Sequence, residues 1–286
     1  MIAFIAQLGR GMSDLYLADA DGANAHPLFD DGSWYDAPAW APGGGRLAFA
    51  TNRAQNWHNL WVLDVSTGIE TQLTFVDDWN GLPAWSPDGR RIAFTSHRAG
   101  NYDLWIMAAD GSDPHQLTDT PANDYGAGWS PDGWRIAFTS NRSGNDDIWT
   151  VDVKSGNLRR LTTGAGKDFC PSWSPSGDRI AYLSAREDGF WDVWSIDPHG
   201  GQPRLLAETR NCEYGLAWSP DGGSLLLAVS EPQGRSDLWR LDVPGGEMQR
   251  LDLRGRLPGM SRNLPWPVAG RLTAWPRLGY PAWARG

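Results

Sequence analysis

The chain has 286 residues, 18 of them tryptophan, and a formal charge of −9. That is enough apolar material for a large core, and it lacks the positive excess that a nucleic-acid binder needs. No run of 18 apolar residues occurs, so no membrane insertion is expected, and two cysteines do not make a disulfide framework, so both are expected as thiols.

In chain order, Ile2 to Ala6, Asp14 to Asp19 and His26 to Phe29 read as three short β strands bounded by turn residues. From Trp40 onward a pattern recurs. Anchor tryptophans stand at Trp40, Trp85, Trp129, Trp173, Trp218 and Trp266, in steps of 45, 44, 44, 45 and 48. A second anchor keeps the same clock at Tyr16, Trp61, Trp105, Trp149, Trp194 and Trp239. Within one unit, Pro83 to Ser86, Ile92 to Ser96, Asp103 to Ala108 and Gln116 to Thr118 are apolar or β-prone runs. They are separated by Pro87-Asp88-Gly89, a looser segment at Arg98 to Tyr102, and Asp110-Gly111. Each unit is therefore a four-stranded antiparallel meander, with strands named A, B, C and D.

A single meander exposes both faces and cannot stand alone, so the copies must stack. Four strands in about 45 residues make the blade of a β-propeller. A compact residue precedes each first anchor, namely Ala39, Ala84, Gly128, Ser172, Ala217 and Pro265. Small residues on one face meeting large ones on the next is what close packing of blades requires. The expected fold class is all-β, a six-bladed β-propeller of four-stranded antiparallel blades, closed by pairing of the N- and C-terminal segments. Its single domain, 1–286, divides into repeats at about 30–74, 75–118, 119–162, 163–207 and 208–252, with a closing blade from 1–29 plus 253–286.

The stretch LPAWSPDGRRIAFTSHRAGNYDLWIMAADGSDPHQLT, Leu82 to Thr118, resembles the repeat of the TolB-type propellers (WD40-like, or PD40, repeats), and similar repeats run over nearly the whole chain. The resemblance implies a propeller that serves as a binding module, a scaffold or an accessory domain of a peptidase.

The first three strands lack an A strand of their own, and the far end supplies it. Asn263 to Pro267 is the preferred partner because Trp239 to Trp266 is 27 residues, close to the 24 of other blades. Tyr280 to Trp283, whose PAW resembles Pro38 to Trp40, is the rival register, and Arg271 to Trp275 reads as a further β segment.

Tight A–B and C–D turns share one end of the ring, and the longer B–C and D–A loops share the other, where binding on a rigid scaffold usually resides. Asp103, Asp147, Asp192 and Asp237 recur, as do Arg53, Arg98, Arg142 and Arg186, so structural ion pairs or loop hydrogen bonds are expected for both sets. Unrepeated aromatics mark the candidate site. Trp34 and Trp79 lie in D–A loops, and Trp57 and Trp191 in B–C loops. Tyr35, Tyr125, Phe169 and Tyr214 stand at the starts of A strands together with Asp36, Asn80, Asp124, Asp168 and Glu213, and Arg262 holds a similar place. Aromatic faces mixed with acceptors around a channel mouth suit a peptide, a protein or a carbohydrate. Asp124, Asp168 and Glu213 occupy equivalent positions in three consecutive blades and could offer oxygens to a Ca²⁺ ion in the channel, although no cofactor is required.

No GxSxG or HExxH occurs. A non-catalytic, monomeric binding or scaffold propeller is the leading expectation. The alternative is a hydrolase or lyase using mouth carboxylates with or without the assistance of Ca²⁺, and a third reading makes the chain one module of a larger sensor or peptidase. The chain shows no signal peptide, which implies a cytoplasmic protein, or a periplasmic or secreted one in mature or trimmed form.

Overall fold

The computed structural model describes residues 1–7, 13–29, 31–54, 57–209, 212–230, 236–251 and 282–283. Strands β1 (Ile2–Gln7), β2 (Ser13–Ala18) and β3 (His26–Pro27) open the chain. Blade 1 holds β4 (Tyr35–Trp40), β5 (Arg46–Thr51), β6 (Asn59–Asp64) and β7 (Glu70–Gln72), and blade 2 holds β8 (Asn80–Trp85), β9 (Arg91–Ser96), β10 (Asp103–Ala108) and β11 (His115–Gln116). Blade 3 holds β12 (Asp124–Trp129), β13 (Arg135–Ser140), β14 (Asp147–Asp152) and β15 (Leu158–Arg160). Blade 4 holds β16 (Asp168–Trp173), β17 (Ile180–Ala185), β18 (Trp191–Ile196) and β19 (Arg204–Ala207). Blade 5 holds β20 (Cys212–Trp218), β21 (Ser224–Ser230), β22 (Ser236–Asp242) and β23 (Met248–Arg250), and β24 (Ala282–Trp283) comes last.

The strands form six four-stranded sheets, the sixth in the order β24-β1-β2-β3. Successive A strands touch around the ring, from β4 through β8, β12, β16 and β20 to β24 and back to β4, so the molecule is a closed six-bladed propeller. The closing register is the rival one. Ile2 pairs with Trp283 and Ala3 with Ala282, which fills the slot that spacing assigned to Asn263–Pro267. The spacing argument assumed a connection of standard length, and a longer one reaches the same edge. Asn263–Pro267 and Arg271–Trp275 lie outside the described residues.

The core is divided among the seams between blades. Ala48, Ala50 and Leu60 of blade 1 pack against Trp85, Ile92 and Phe94 of blade 2, and Ala93, Leu104 and Ile106 of blade 2 pack against Trp129, Ile136 and Phe138 of blade 3. The anchor tryptophans pack into the seams, and three of them, Trp85, Trp129 and Trp218, also hydrogen-bond across. The Trp129 indole donates to the Ala84 carbonyl at 3.1 Å, and the Trp218 indole to that of Ser172 at 3.0 Å. The guanidinium of a B-strand arginine covers the ring from the neighbouring blade: Arg46 over Trp85 at 4.6 Å, Arg91 over Trp129 at 4.7 Å, Arg135 over Trp173 at 5.1 Å.

The A–B turns of blades 2, 3 and 5 repeat one construction. Ser86 donates to Asp88 at 2.5 Å and accepts from the Arg91 amide at 2.9 Å, while Gly89 takes φ 67°, open to a residue without Cβ. Gly133 of the next turn comes to rest on Pro87, and Gly177 and Gly222 likewise on Pro131 and Pro175, so the turns of blades 1 to 5 lean on one another in series.

Every described A strand of blades 1 to 5 also carries a bulge, which the repeat pattern does not announce. The register skips between Asp36 and Ala39, Gly81 and Ala84, Tyr125 and Gly128, Phe169 and Ser172, and Cys212 and Leu216. The bulged residue is left-handed each time: Ala37 (φ 48°), Leu82 (φ 52°), Gly126 (φ 70°), Cys170 (φ 55°) and Gly215 (φ 129°). For a residue with a Cβ this conformation costs about 1–2 kcal/mol, which the surrounding packing must offset.

Candidate functional site

Main-chain hydrogen bonds join the long loops at one end of the ring. Within blades, the His97 amide donates to the Trp79 carbonyl at 3.0 Å and that of Ala185 to Lys167 at 2.8 Å. Between blades, the Asn80 amide donates to His58 at 2.9 Å, that of Asp124 to Tyr102 at 2.7 Å, and that of Asp168 to Asp146 at 2.8 Å. These bonds tie B–C and D–A loops into one continuous rim, as the topology implies.

The first residues of the A strands do not face the channel. Side chains of a strand alternate between the two faces of its sheet, and both faces of a blade are covered by neighbours, so the axis sees the main-chain edge of the inner strand. Tyr35 is buried in the seam beside blade 6, its hydroxyl donating to Asp31 at 2.7 Å and its ring stacked on Phe29 at 4.9 Å. Asn80 is fully buried; its Oδ1 accepts from Ser96 and from Arg98, each at 2.8 Å. Asp124 is buried and accepts from Arg142 at 2.5 Å. Asp168 is also buried, and desolvation, with a further push from the Asp147 charge, raises its carboxyl to about 6.

The second residues turn to the other face. Phe169 is buried 4.8 Å from the Trp191 ring, and the half-buried Tyr125 donates to Asp146 at 3.4 Å; both join the apolar packing between blades. Asp36 is half-buried, its Oδ1 accepting the Ala37 amide at 2.7 Å, and burial pushes its carboxyl up to about 7. Glu213 and Tyr214 lie in β20 with side chains outside the described residues, and Arg262 is outside them altogether. Asp124 and Asp168 belong to different seams. Among the described residues, no group of three His, Cys, Asp or Glu side chains stands close enough to hold a metal ion.

The recurring loop charges serve the scaffold, as expected of them. Arg142 pairs with Asp124 and lies over Trp149 at 5.1 Å; Arg53 pairs with Glu70 and lies over Trp61 at 3.9 Å; Arg186 reaches Asp188 at 3.0 Å and Asp192 at 3.6 Å.

Open aromatic surface gathers on the rim of blades 1 and 2. Trp57 is 49% exposed and Phe75 69% exposed. Their loops are held together where Asn59 donates to the Val76 carbonyl at 3.4 Å. The Trp79 indole lies flat across Gly81, so close that a Cβ there would stand 2.5 Å from Cζ2, and it meets Tyr102 edge-on at 5.4 Å. His97 packs on Tyr102 at 4.9 Å and approaches Asp78 at 3.3 Å, and Asp77 is exposed between Phe75 and Trp79. Trp34, half-buried, has its amide held by Asn52 at 2.9 Å in the neighbouring part of the rim.

Trp57 and Trp79 thus stand where the sequence placed them, but Phe75, Tyr102, His97, Asp77 and Asp78 were missed. Comparison of copies contains the signal for Phe75. It follows Leu73-Thr74, where Asp119 and Thr163 follow the equivalent Leu-Thr pairs.

The channel itself holds a cavity of about 330 Å³, lined by the bulged residues Ala37, Leu82, Gly126 and Cys170 and by the turn prolines Pro42, Pro87, Pro131, Pro175 and Pro220. Among the described residues its lining is mostly small and apolar, and neither Asp124 nor Asp168 belongs to it.

The model of the TolB beta propeller domain (PD40) matches residues 1–217. No curated protein matches the chain. Among solved structures, TolB from Acinetobacter baumannii superposes with a TM-score of 0.79 at 23% identity, covering 99% of this chain and 66% of that one. A chain of a nidogen/laminin complex gives 0.74 at 13% identity over 99% and 98%. A puromycin-hydrolyzing peptidase from Mycobacterium tuberculosis gives 0.62 at 14% identity over 88% and 45%. The chain therefore spans just under two thirds of that TolB, and by the match over residues 1–217 it belongs to the TolB beta propeller domain family.

Proposed function

We propose that this propeller is a non-catalytic binding module that holds a peptide segment of a partner protein on the rim of blades 1 and 2. The observation that carries the reading is the clustering of aromatics on joined loops, the exposed Trp57 and Phe75 with the edge-packed Trp79 and Tyr102, where the D–A loop also carries the carboxylates of Asp77 and Asp78. Large rigid aromatics supply contact area at low entropic cost, and adjacent carboxylates select a basic residue, in keeping with the net charge of −9. A similarly shaped chain in a nidogen/laminin complex supports a protein-binding use of the fold.

A peptide array read with the labelled full chain tests this. Hits should be enriched in Lys and Arg next to apolar residues, and Trp57→Ala or Trp79→Ala should weaken them about tenfold or more. Trp134, 61% exposed on an A–B turn at the other end, supplies the control, and Trp134→Ala should bind normally. Equal loss in all three variants, or hits confined to a parallel glycan array, would reject the peptide reading. A second reading, a hydrolase or lyase, draws on Asp36, whose carboxyl near 7 suits acid–base work. Turnover of glycans or peptides that Asp36→Asn abolishes would favour it.

A further inference from the structure

The three seams that join blades 1 to 4 bury the same two positions: the first residue of a C strand and the first residue of the next blade's A strand. Between blades 1 and 2 these are Asn59 and Asn80, and the Asn80 amide donates to Asn59 at 3.4 Å. Between blades 2 and 3 they are Asp103 and Asp124, and between blades 3 and 4 Asp147 and Asp168, all four buried. An amide pair brings its own donor. A pair of ionised carboxylates brings none.

The groups around the two acidic pairs leave each one charge short. Asp103 accepts from Gln116 at 3.1 Å and faces Thr118 at 3.5 Å, with Asn101 and the charge of Asp119 nearby. Asp124 accepts from Arg142 at 2.5 Å through Oδ2, but its Oδ1 is buried without a hydrogen-bond partner among the described residues. In the other seam Asp147 Oδ2 accepts from Arg160 at 2.8 Å and from Ser143, while its Oδ1 is equally without a partner. Asp168 is hydrogen-bonded by Ser184 and Thr162, and the Tyr182 phenol is the remaining titratable neighbour. Two carboxylates against one arginine leave a net negative charge out of water in each seam, and a buried uncompensated charge is strongly unfavourable. One proton would cancel it and supply the donor that the orphaned oxygen lacks.

We infer that each of these two seams holds a single solvent-derived proton shared by its carboxyl pair, so that both borders of blade 3 are tight in mild acid and loosen as the pH rises and the protons leave. The neutral Asn59–Asn80 pair is the same joint with its donor built in. The surroundings act in the same direction: desolvation and then the Asp124 charge raise Asp103 to about 6, and desolvation and then the Asp147 charge raise Asp168 to about 6. A carboxyl raised by folding stabilises fully below its unfolded value, and that stabilisation is lost as the pH climbs through the folded one.

Infrared spectra of the full chain, carrying Asp36→Asn and Asp192→Asn to remove the other two described carboxyls that are raised, test the inference. The carbonyl stretch of protonated carboxylic acid should persist at about pH 5, above the ordinary range for Asp, and fade towards neutrality. Asp103→Asn should remove one part of it and Asp168→Asn another. Should either variant fail to fold, the chain carrying only Asp36→Asn and Asp192→Asn decides by urea unfolding. Two protons lost together should lower the folding constant by up to about 100-fold per pH unit across the titration. No protonated band, a band that both substitutions leave intact, or stability that is flat or rising between about pH 5 and 7 would overturn the inference. So would a seam neutralised instead by a metal ion, seen as stability at neutral pH that a chelator removes.

Discussion

The indole nitrogen of Trp85 lies 3.1 Å from the main-chain oxygen of Ala39, across the seam between blades 1 and 2. The bond forms only because residue 39 is small: with a larger side chain there, the ring would have to withdraw from the carbonyl. The same pairing of Trp129 with Ala84 and Trp218 with Ser172 repeats this contact at two further seams.

Truncation of that anchor should therefore weaken the ring markedly. Trp85→Ala is expected to lower the unfolding free energy by about 3–5 kcal/mol, and Ala39→Leu, which overfills the same joint, by about 1–3 kcal/mol. Urea denaturation followed by circular dichroism measures both. Losses below about 0.5 kcal/mol would contradict the packing described.

Ala37 offers a substitution in the opposite direction. Its φ of 48° is strained for any residue with a Cβ, and glycine adopts it freely. Against the entropy that glycine adds to the unfolded chain, Ala37→Gly should still gain about 0.5–1 kcal/mol, read as a higher urea midpoint at unchanged slope.

Gly81 controls the rim without belonging to its surface. Gly81→Ala places a methyl group where the Trp79 indole now lies, so the ring must leave its seat and its edge contact with Tyr102. Ligand affinity should fall about as far as in Trp79→Ala, with thermal stability nearly unchanged. Intact binding would dissociate Trp79 from the site.

The turns set the acid limit. Hydrogen bonds from Ser86 hold the Asp88 carboxyl below the ordinary range, those from Ser176 and Ser174 do so for Asp178, and those from Ser219 for Asp221. A carboxyl lowered by folding stabilises above its unfolded value, and that contribution is lost as the pH falls through the folded one. Stability should thus decline below about pH 4, the ordinary range for Asp. Ser86→Ala should cost about 1 kcal/mol near pH 6 and flatten that decline. Denaturation curves between pH 2.5 and 6, taken at intervals of about half a unit, resolve the slope.

The architecture was legible because its main determinant is written as spacing. Trp40, Trp85, Trp129, Trp173 and Trp218 fall at almost equal steps, and each packs into one seam. The site was legible only in part. Residues such as Asp124 and Phe169 were assigned to the channel because they stand at the inner strand's start, but a strand sends side chains to its flanks and only its main chain to the axis. The bulges at Ala37, Leu82 and Cys170 have no common residue type and no gap in the count, so nothing in the letters marks them. The rim of Trp57, Phe75, Trp79 and Tyr102 forms by proximity of loops from two repeats, which a comparison of repeats at equal positions does not bring together.

The pairing of Ile2 with Trp283 has a bearing on biosynthesis. Blades 1 to 5 can assemble one after another as they leave the ribosome, each docking on the one before. The opening hairpin cannot, since the strand it needs is translated only after all five of those blades. Until then it waits with a bare edge, able to recruit a stray strand from another nascent chain. Crowded expression at high temperature should penalise this molecule through that interval far more than through any weakness of the finished ring.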